Sequence, residues 1–221
     1  MQGVDRQVNA FAVQRLVPRL HGPAVLELGC GDGIWTEALA ASGLHVTVVD
    51  GAQELLDRLA ARLGPRITAR CALFEELVLR ERFDEVVCAH VLEHVLDPLA
   101  VLGVAHRHLR PGGLALIVVP NAESLHRRVG VALGLLERVT DLSEADRYIG
   151  HRRVYTVDEL LGQLRQTGFE IVDWGGVFLK PLANSQLQGW SPELLAAFDQ
   201  VGIELPRWAV QIWALGRRPS L

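Results

Sequence analysis

Residues 24–33 read AVLELGCGDG, and residues 44–50 read LHVTVVD. The first stretch is a short apolar run that breaks on alternating glycines, G-x-G-x-G, with Glu27 just ahead of them. An apolar run too short for a helix and closed by glycines reads as a buried strand that turns sharply. Glycines in such a turn let the backbone approach a ligand closely. GIWTEALAASG, residues 33–43, continues with helical periodicity, and LHVTVVD is a second buried strand ending on Asp50. Strand, glycine turn, helix and strand make the first unit of a parallel sheet with crossover helices. A carboxylate ending the second strand of such a unit suits two ribose hydroxyls of a nucleoside. The G-x-G-x-G spacing is not the G-x-G-x-x-G that cradles a dinucleotide pyrophosphate, which argues against NAD.

The alternation continues outward. Residues 52–64 read as a helix closed by Gly64, 66–73 and 83–89 as strands, 90–109 as a helix stopped at RPGG, and 114–120 as a fifth strand. Residues 121–150 are too long for a simple loop in a compact α/β domain and read as an insert shaping an acceptor site. Residues 156–168 open with the capping box Thr156 to Glu159 and close on Gly168. Strands at 169–179 and 207–216 flank a helix at 191–202 with Ser191 at its N-cap and Pro192 at its first position. These signals predict one α/β domain over residues 1–221: a Rossmann-like, seven-stranded, mostly parallel sheet with helices on both faces. Residues 1–22 hold an amphipathic helix near 5–20, with Phe11, Leu16, Val17 and Leu20 on its apolar side. That helix suits a lid, the surface of a homodimer or a weak membrane contact.

A length of 221 residues suits a single core, and 22 basic against 26 acidic residues give a net charge of −4. That balance disfavours nucleic acid as a partner. Cys30, Cys71 and Cys88 are odd in number and sit in apolar runs, which predicts buried free thiols in a reducing compartment. No apolar stretch reaches the roughly 18 to 20 residues of a membrane span, and the N-terminus lacks a signal-peptide layout. A cytoplasmic location is the expectation.

VLELGCGDG, VVD, FDEVVCAHVLEHVLDP and LRPGGLALIVVPN together resemble the class I S-adenosylmethionine-dependent methyltransferases over about residues 24–120. The resemblance implies S-adenosylmethionine as cofactor, its methionine part lined by Gly29, Gly31 and Gly33 after Glu27, and its ribose held by Asp50. It also implies Leu73, Phe74 and Glu75 near adenine and Ala89 near the cofactor's amino group. Many members carry an acid where Leu73 stands here, so the adenine amine falls to the backbone or to Glu75.

AHVLEHVLD, residues 89–97, follows the fourth strand. Its His90, Glu93 and His94 fall at i, i+3 and i+4, which is one face if the stretch is helical. The letters H-x-x-E-H also match the inverzincin proteases, but nothing else in the sequence supplies a peptide cleft. A position beyond a strand's carboxyl end is where open α/β sheets bind ligands. Two readings stay open. One makes a histidine among His90, His94 and His151 a general base, and the other makes His90, Glu93 and His94 ligands of a divalent metal. His151, in GHRRVYT and 57 residues after His94, offers a fourth ligand. Here the chain resembles the ubiquinone-pathway O-methyltransferases and the small-RNA 2′-O-methyltransferases, whose E-x-x-E-H block appears as H-x-x-E-H. The resemblance implies metal-assisted O-methylation with His90, Glu93, His94 and His151 as ligands. The extra histidine moves preference from Mg toward Mn, Fe, Co or Zn.

His126, Arg127, Arg128, Arg152 and Arg153 flank the acceptor side, as cations for an acidic acceptor or as solvated helix ends. Trp174, Phe178 and Trp190 read as an aromatic pocket or as core. The expected activity is methyl transfer to a hydroxyl of a small molecule such as a catechol or diol. The other classes are metal-independent N- or O-methylation by a histidine base, RNA 2′-O-methylation, and a non-catalytic methyltransferase-like subunit.

Overall fold

The computed structural model describes residues 3–220. Its strands are β1 (Ala24–Leu28), β2 (His45–Asp50), β3 (Ile67–Cys71), β4 (Phe83–Ala89), β5 (Leu109–Pro120), β6 (Glu170–Val177) and β7 (Gln211–Arg217). Among the described residues they form a seven-stranded sheet in the order β3-β2-β1-β4-β5-β7-β6. Neighbours from β3 to β5 are parallel, whereas β7 runs antiparallel to both β5 and β6. The sheet is mostly parallel, as the sequence predicts.

The helices are α1 (Gly3–Leu16), α2 (Ile34–Ala41), α3 (Gln53–Leu63), α4 (Pro98–His108), α5 (Leu125–Ala132), α6 (Glu144–Tyr148), α7 (Val157–Gln166) and α8 (Pro192–Glu204). Two apolar clusters cover the two faces of the sheet. One joins Leu26, Leu28, Val86 and Cys88 to Val101, Leu102, Leu160 and Leu164, from α4 and α7. The other joins Val25, Val46, Val48 and Val87 to Leu16, Trp35, Leu39, Leu56 and Leu59, from α1, α2 and α3. Successive strand residues point to opposite faces, so with both faces covered the central strands are apolar throughout instead of alternating. No described helix is long and apolar enough to cross a membrane.

The local signals hold at several ends. Thr156 and Glu159 close a reciprocal capping box on α7, Ser191 accepts from the Leu194 N–H at 3.3 Å, and Gly64 caps α3 with a φ of 55°. Other expectations are corrected. β5 begins at Leu109, because RPGG continues the strand through Gly112, whose N–H bonds the Arg218 carbonyl at 2.9 Å. Cys30 and Cys88 are buried free thiols, but Cys71 is exposed at the end of β3. The insert holds only the short α5 and α6. The helix expected over 90–109 is confined to α4, for reasons that belong to the site.

Candidate active site

A cavity of about 540 Å³ opens at the carboxyl ends of β1, β2 and β4. Gly29, Gly31, Asp50, Leu73, Phe74, Glu75 and Ala89 all lie on its wall. Gly29 and Gly31 have φ of 81° and 49°, in the left-handed region that a Cβ disfavours. A Cβ on Gly29 would sit 2.5 Å from Val91 Cγ2, while one on Gly31 meets no atom within 4 Å. The first glycine therefore admits Val91, and the second leaves room for a ligand. Asp50 Oδ2 accepts from the Cys30 N–H at 3.0 Å and Oδ1 from the Ala52 N–H at 2.9 Å. Two backbone donors fix this carboxylate; the Cys30 thiol adds a third contact to Oδ2 at 3.5 Å, and Oδ1 keeps a lone pair for a further donor.

Two residues implied for the cofactor stand off the cavity wall. Gly33 is the N-cap of α2, where a Cβ would strike Leu59 and Arg62. Glu27 is buried, its Oε2 has no hydrogen-bond partner, and burial pushes its carboxyl up to about 8. It stays neutral over most of the physiological range, which limits the cost of burying it. Burial and then the Asp50 charge push the Cys30 thiol up to about 12, so it is no nucleophile. Asn9 of α1 also faces the cavity, a contribution the sequence did not announce.

Residues 90–97 form a turn and not the first part of a helix. His90 has a φ of 57°, outside the right-handed helical region. Pro98 disfavours a helical Asp97, which is extended at φ −120° and ψ 96°. Asp97 Oδ1 instead caps α4 through the Leu99 and Ala100 N–H groups at 2.9 and 3.1 Å. Within the turn, His94 and Val95 donate to the Val91 carbonyl. The carbonyls of residues 92–96 are taken from across the chain. Arg153 donates to the Leu92 and Val95 carbonyls, each at 2.6 Å, and to that of Leu96 at 3.1 Å. The Arg152 N–H donates to the Glu93 carbonyl at 2.8 Å. These bonds carry the preceding residue, His151, against His94, with ring centroids 4.8 Å apart and edge-on.

One ligating atom from each of Glu93, His94 and His151 lies within 4.8 Å of the others. His90 falls outside that group and joins it indirectly, its Nδ1 lying 3.1 Å from Glu93 Oε1. Glu93 Oε2 is buried without a partner. His94 Nδ1 faces the Gly150 carbonyl and His151 Nδ1 faces Asp146 Oδ1, each at 3.3 Å. The Gly150 carbonyl can only accept, so His94 Nδ1 donates to it and its Nε2 presents a lone pair, whereas His151 Nδ1 lies at ion-pair distance from Asp146 without hydrogen-bond geometry. Burial raises the Asp146 carboxyl, but His151, Arg127 and Ser143 outweigh it and hold it well below the usual range. Asp146 was missed in the sequence, although S-x-x-D at 143–146 is a helix-start signature.

The arginines read as solvated helix ends are mostly internal fasteners. Arg127 is buried and bonds Asp146 at 2.9 Å, the Val139 carbonyl at 2.8 Å and the Asp141 carbonyl. Arg128 bonds the Glu123 carbonyl and covers Trp208. Burial, with Lys180 beside it, drives the His126 imidazole down to about 3, so it is neutral. Phe178 is fully buried against Phe11, and Trp190 packs on Phe198. Trp174 lies partly buried against the core, and these aromatics line no part of the cavity.

Comparisons with known proteins agree with this architecture. The sequence signature of the family described as "Methyltransferase domain" matches residues 4–173. A ubiquinone biosynthesis O-methyltransferase of Xylella fastidiosa is 32% identical over 179 residues, covering 78% of this chain and 70% of the relative. One from Dinoroseobacter shibae is 35% identical over 174 residues, covering 77% and 67%. An S-adenosylmethionine-dependent methyltransferase structure from Mesorhizobium loti superposes with a TM-score of 0.71 at 22% identity, covering 98% of this chain and all of that one. By its sheet, its glycine turn and these matches, the chain belongs to the methyltransferase-domain family, in its S-adenosylmethionine-dependent class.

Proposed function

We propose that the chain transfers the methyl group of S-adenosylmethionine to a hydroxyl of a small molecule, with Glu93, His94 and His151 holding a divalent cation beside the acceptor. The observation that carries this reading is Glu93, whose Oε1 orients His90 while Oε2 lies buried and unpartnered beside two imidazoles. A buried carboxylate oxygen without a donor is costly unless something positive completes it. The acceptors behind His94 and His151 are the outer partners that metal-bound histidines commonly have. For the cofactor, the fit rests on the open space at Gly31 and the fixed carboxylate of Asp50.

Such a cation would lower the pKa of a hydroxyl beside it and fix its oxygen toward the sulfonium methyl. His90 Nε2, buried and without a partner, takes the acceptor's proton, and Glu93 Oε1 holds Nδ1–H and steadies the imidazolium. The acceptor O–CH3 bond forms as the S–CH3 bond breaks, leaving S-adenosylhomocysteine. The names of the ubiquinone-pathway relatives support oxygen as the accepting atom.

Elemental analysis and turnover test the two roles separately. His94→Ala and His151→Ala are each expected to lose the bound metal. His90→Gln is expected to keep it and to slow transfer by about a hundredfold. Stoichiometric metal in both alanine variants, or full activity in metal-stripped protein, would overturn the cation and leave the His90–Glu93 pair as a base acting alone.

A further inference from the structure

Among the cations expected at the acceptor side, Arg152 is used differently from the rest. Arg127, Arg128 and Arg153 spend their guanidinium nitrogens on carbonyls and carboxylates of the fold. Arg152 spends only Nε, on the His94 carbonyl at 3.0 Å. No carboxylate of the described residues pairs with it in an ion pair. Yet it lies on the wall of the cavity, with His90, His94 and Leu96, whereas Asp50 and Glu75 lie at the end suited to the nucleoside. Against the carboxylates of Asp32, Asp50 and Glu75, Arg152 is the arginine of the cavity wall.

The backbone bond to Glu93 holds the main chain of Arg152 and the Nε bond holds its exposed guanidinium beside His94, with Nη1 and Nη2 left over. Two parallel N–H donors held in that way match the two oxygens of a carboxylate or a phosphoryl group, and neutral acceptors gain nothing from them. We infer that Arg152 is a specificity-determining residue that selects acceptors carrying an oxyanion close to the hydroxyl that is methylated. This rests on the hydroxyl-transfer reading and names the substrate class for the same site.

The test is titration of protein saturated with S-adenosylhomocysteine, using 3,4-dihydroxybenzoate, 3,4-dihydroxybenzamide and 3,4-dihydroxybenzyl phosphate as probes. The carboxylate or the phosphate is expected to bind about tenfold more tightly than the amide, the tighter of the two naming the oxyanion. Arg152→Gln is expected to erase that preference and Arg152→Lys to retain part of it, while affinity for S-adenosylhomocysteine stays unchanged. Equal binding of acid and amide by the unaltered protein would overturn the inference. So would an Arg152→Gln variant that loses cofactor affinity and keeps the preference, because the guanidinium would then serve the cofactor's carboxylate. A preserved oxyanion preference with no methyl ether formed from any probe would instead sink the hydroxyl reading and leave the anion site standing.

Discussion

An added methyl group at Gly31 meets open space, whereas at Gly29 it lands 2.5 Å from a Val91 methyl. Either substitution forces a side chain into the left-handed region, at about 1 kcal/mol. Gly31→Ala is therefore expected to lower the melting temperature by only about 2–4 °C while weakening S-adenosylhomocysteine binding about tenfold. Gly29→Ala adds a clash in packed structure and is expected to lose about 1–3 kcal/mol more in denaturant titration. Glu27 gives a different signature. Its carboxyl is raised from about 4.5 to about 8 by burial, so its contribution to stability is complete below about 4.5 and is lost as pH rises through about 8. Glu27→Gln cannot ionise, so its unfolding midpoint should gain on that of the unaltered protein between about pH 5 and pH 9. A constant gap between the two across that range would refute this account. The alternating glycines and Asp50 were legible because their spacing encodes a turn and a strand end. That Glu27 and Gly33 lie off the cavity wall was not, since sequence order does not say which side of a turn faces the cavity.

The turn at 90–97 shows how a side-chain pattern can mislead while the flanking backbone signals are sound. H-x-x-E-H at helical spacing suggested one helical face, but Asp97-Pro98 is itself the N-cap and first position of α4. Glu93 and His94 still gather, with His151, because segment 150–153 supplies the hydrogen bonds the turn lacks, and His90 joins only through Glu93. Arg153 carries most of that load. Arg153→Ala leaves three carbonyls short of a charged donor and is expected to cost about 2–4 kcal/mol in denaturant titration. The divalent metal proposed at Glu93, His94 and His151 should bind less in this variant, although Arg153 is no ligand; unchanged stability and metal content would assign the turn's shape to its own residues. The capping boxes show the converse case. Thr156 to Glu159 was readable because donor and acceptor are three residues apart, whereas the partners of Arg153 lie about sixty residues upstream.

At the scale of the whole molecule, the alternation of strands and helices made a doubly covered sheet readable, and the long stretch after β5 made an insert readable. The place of β7 was not. A strand's apolar run records that it is buried, and nothing in it records which neighbours it will find. The family match ends at residue 173, before this strand begins. Yet β7 lies inside the sheet, joining β5 to β6 through the pairs Leu116↔Leu215 and Asp173↔Leu215. That placement bears on the order in which the chain is made. Synthesis delivers β5 and β6 first, and until residues 211–217 follow, both strands present open edges of the kind that pair with other chains. The half of the sheet that holds β5 and β6 closes only when the last of the described strands arrives. A ribosome paused ahead of that point holds a nascent chain whose cavity-bearing strands β1, β2 and β4 are already made, while its other edge still needs shelter.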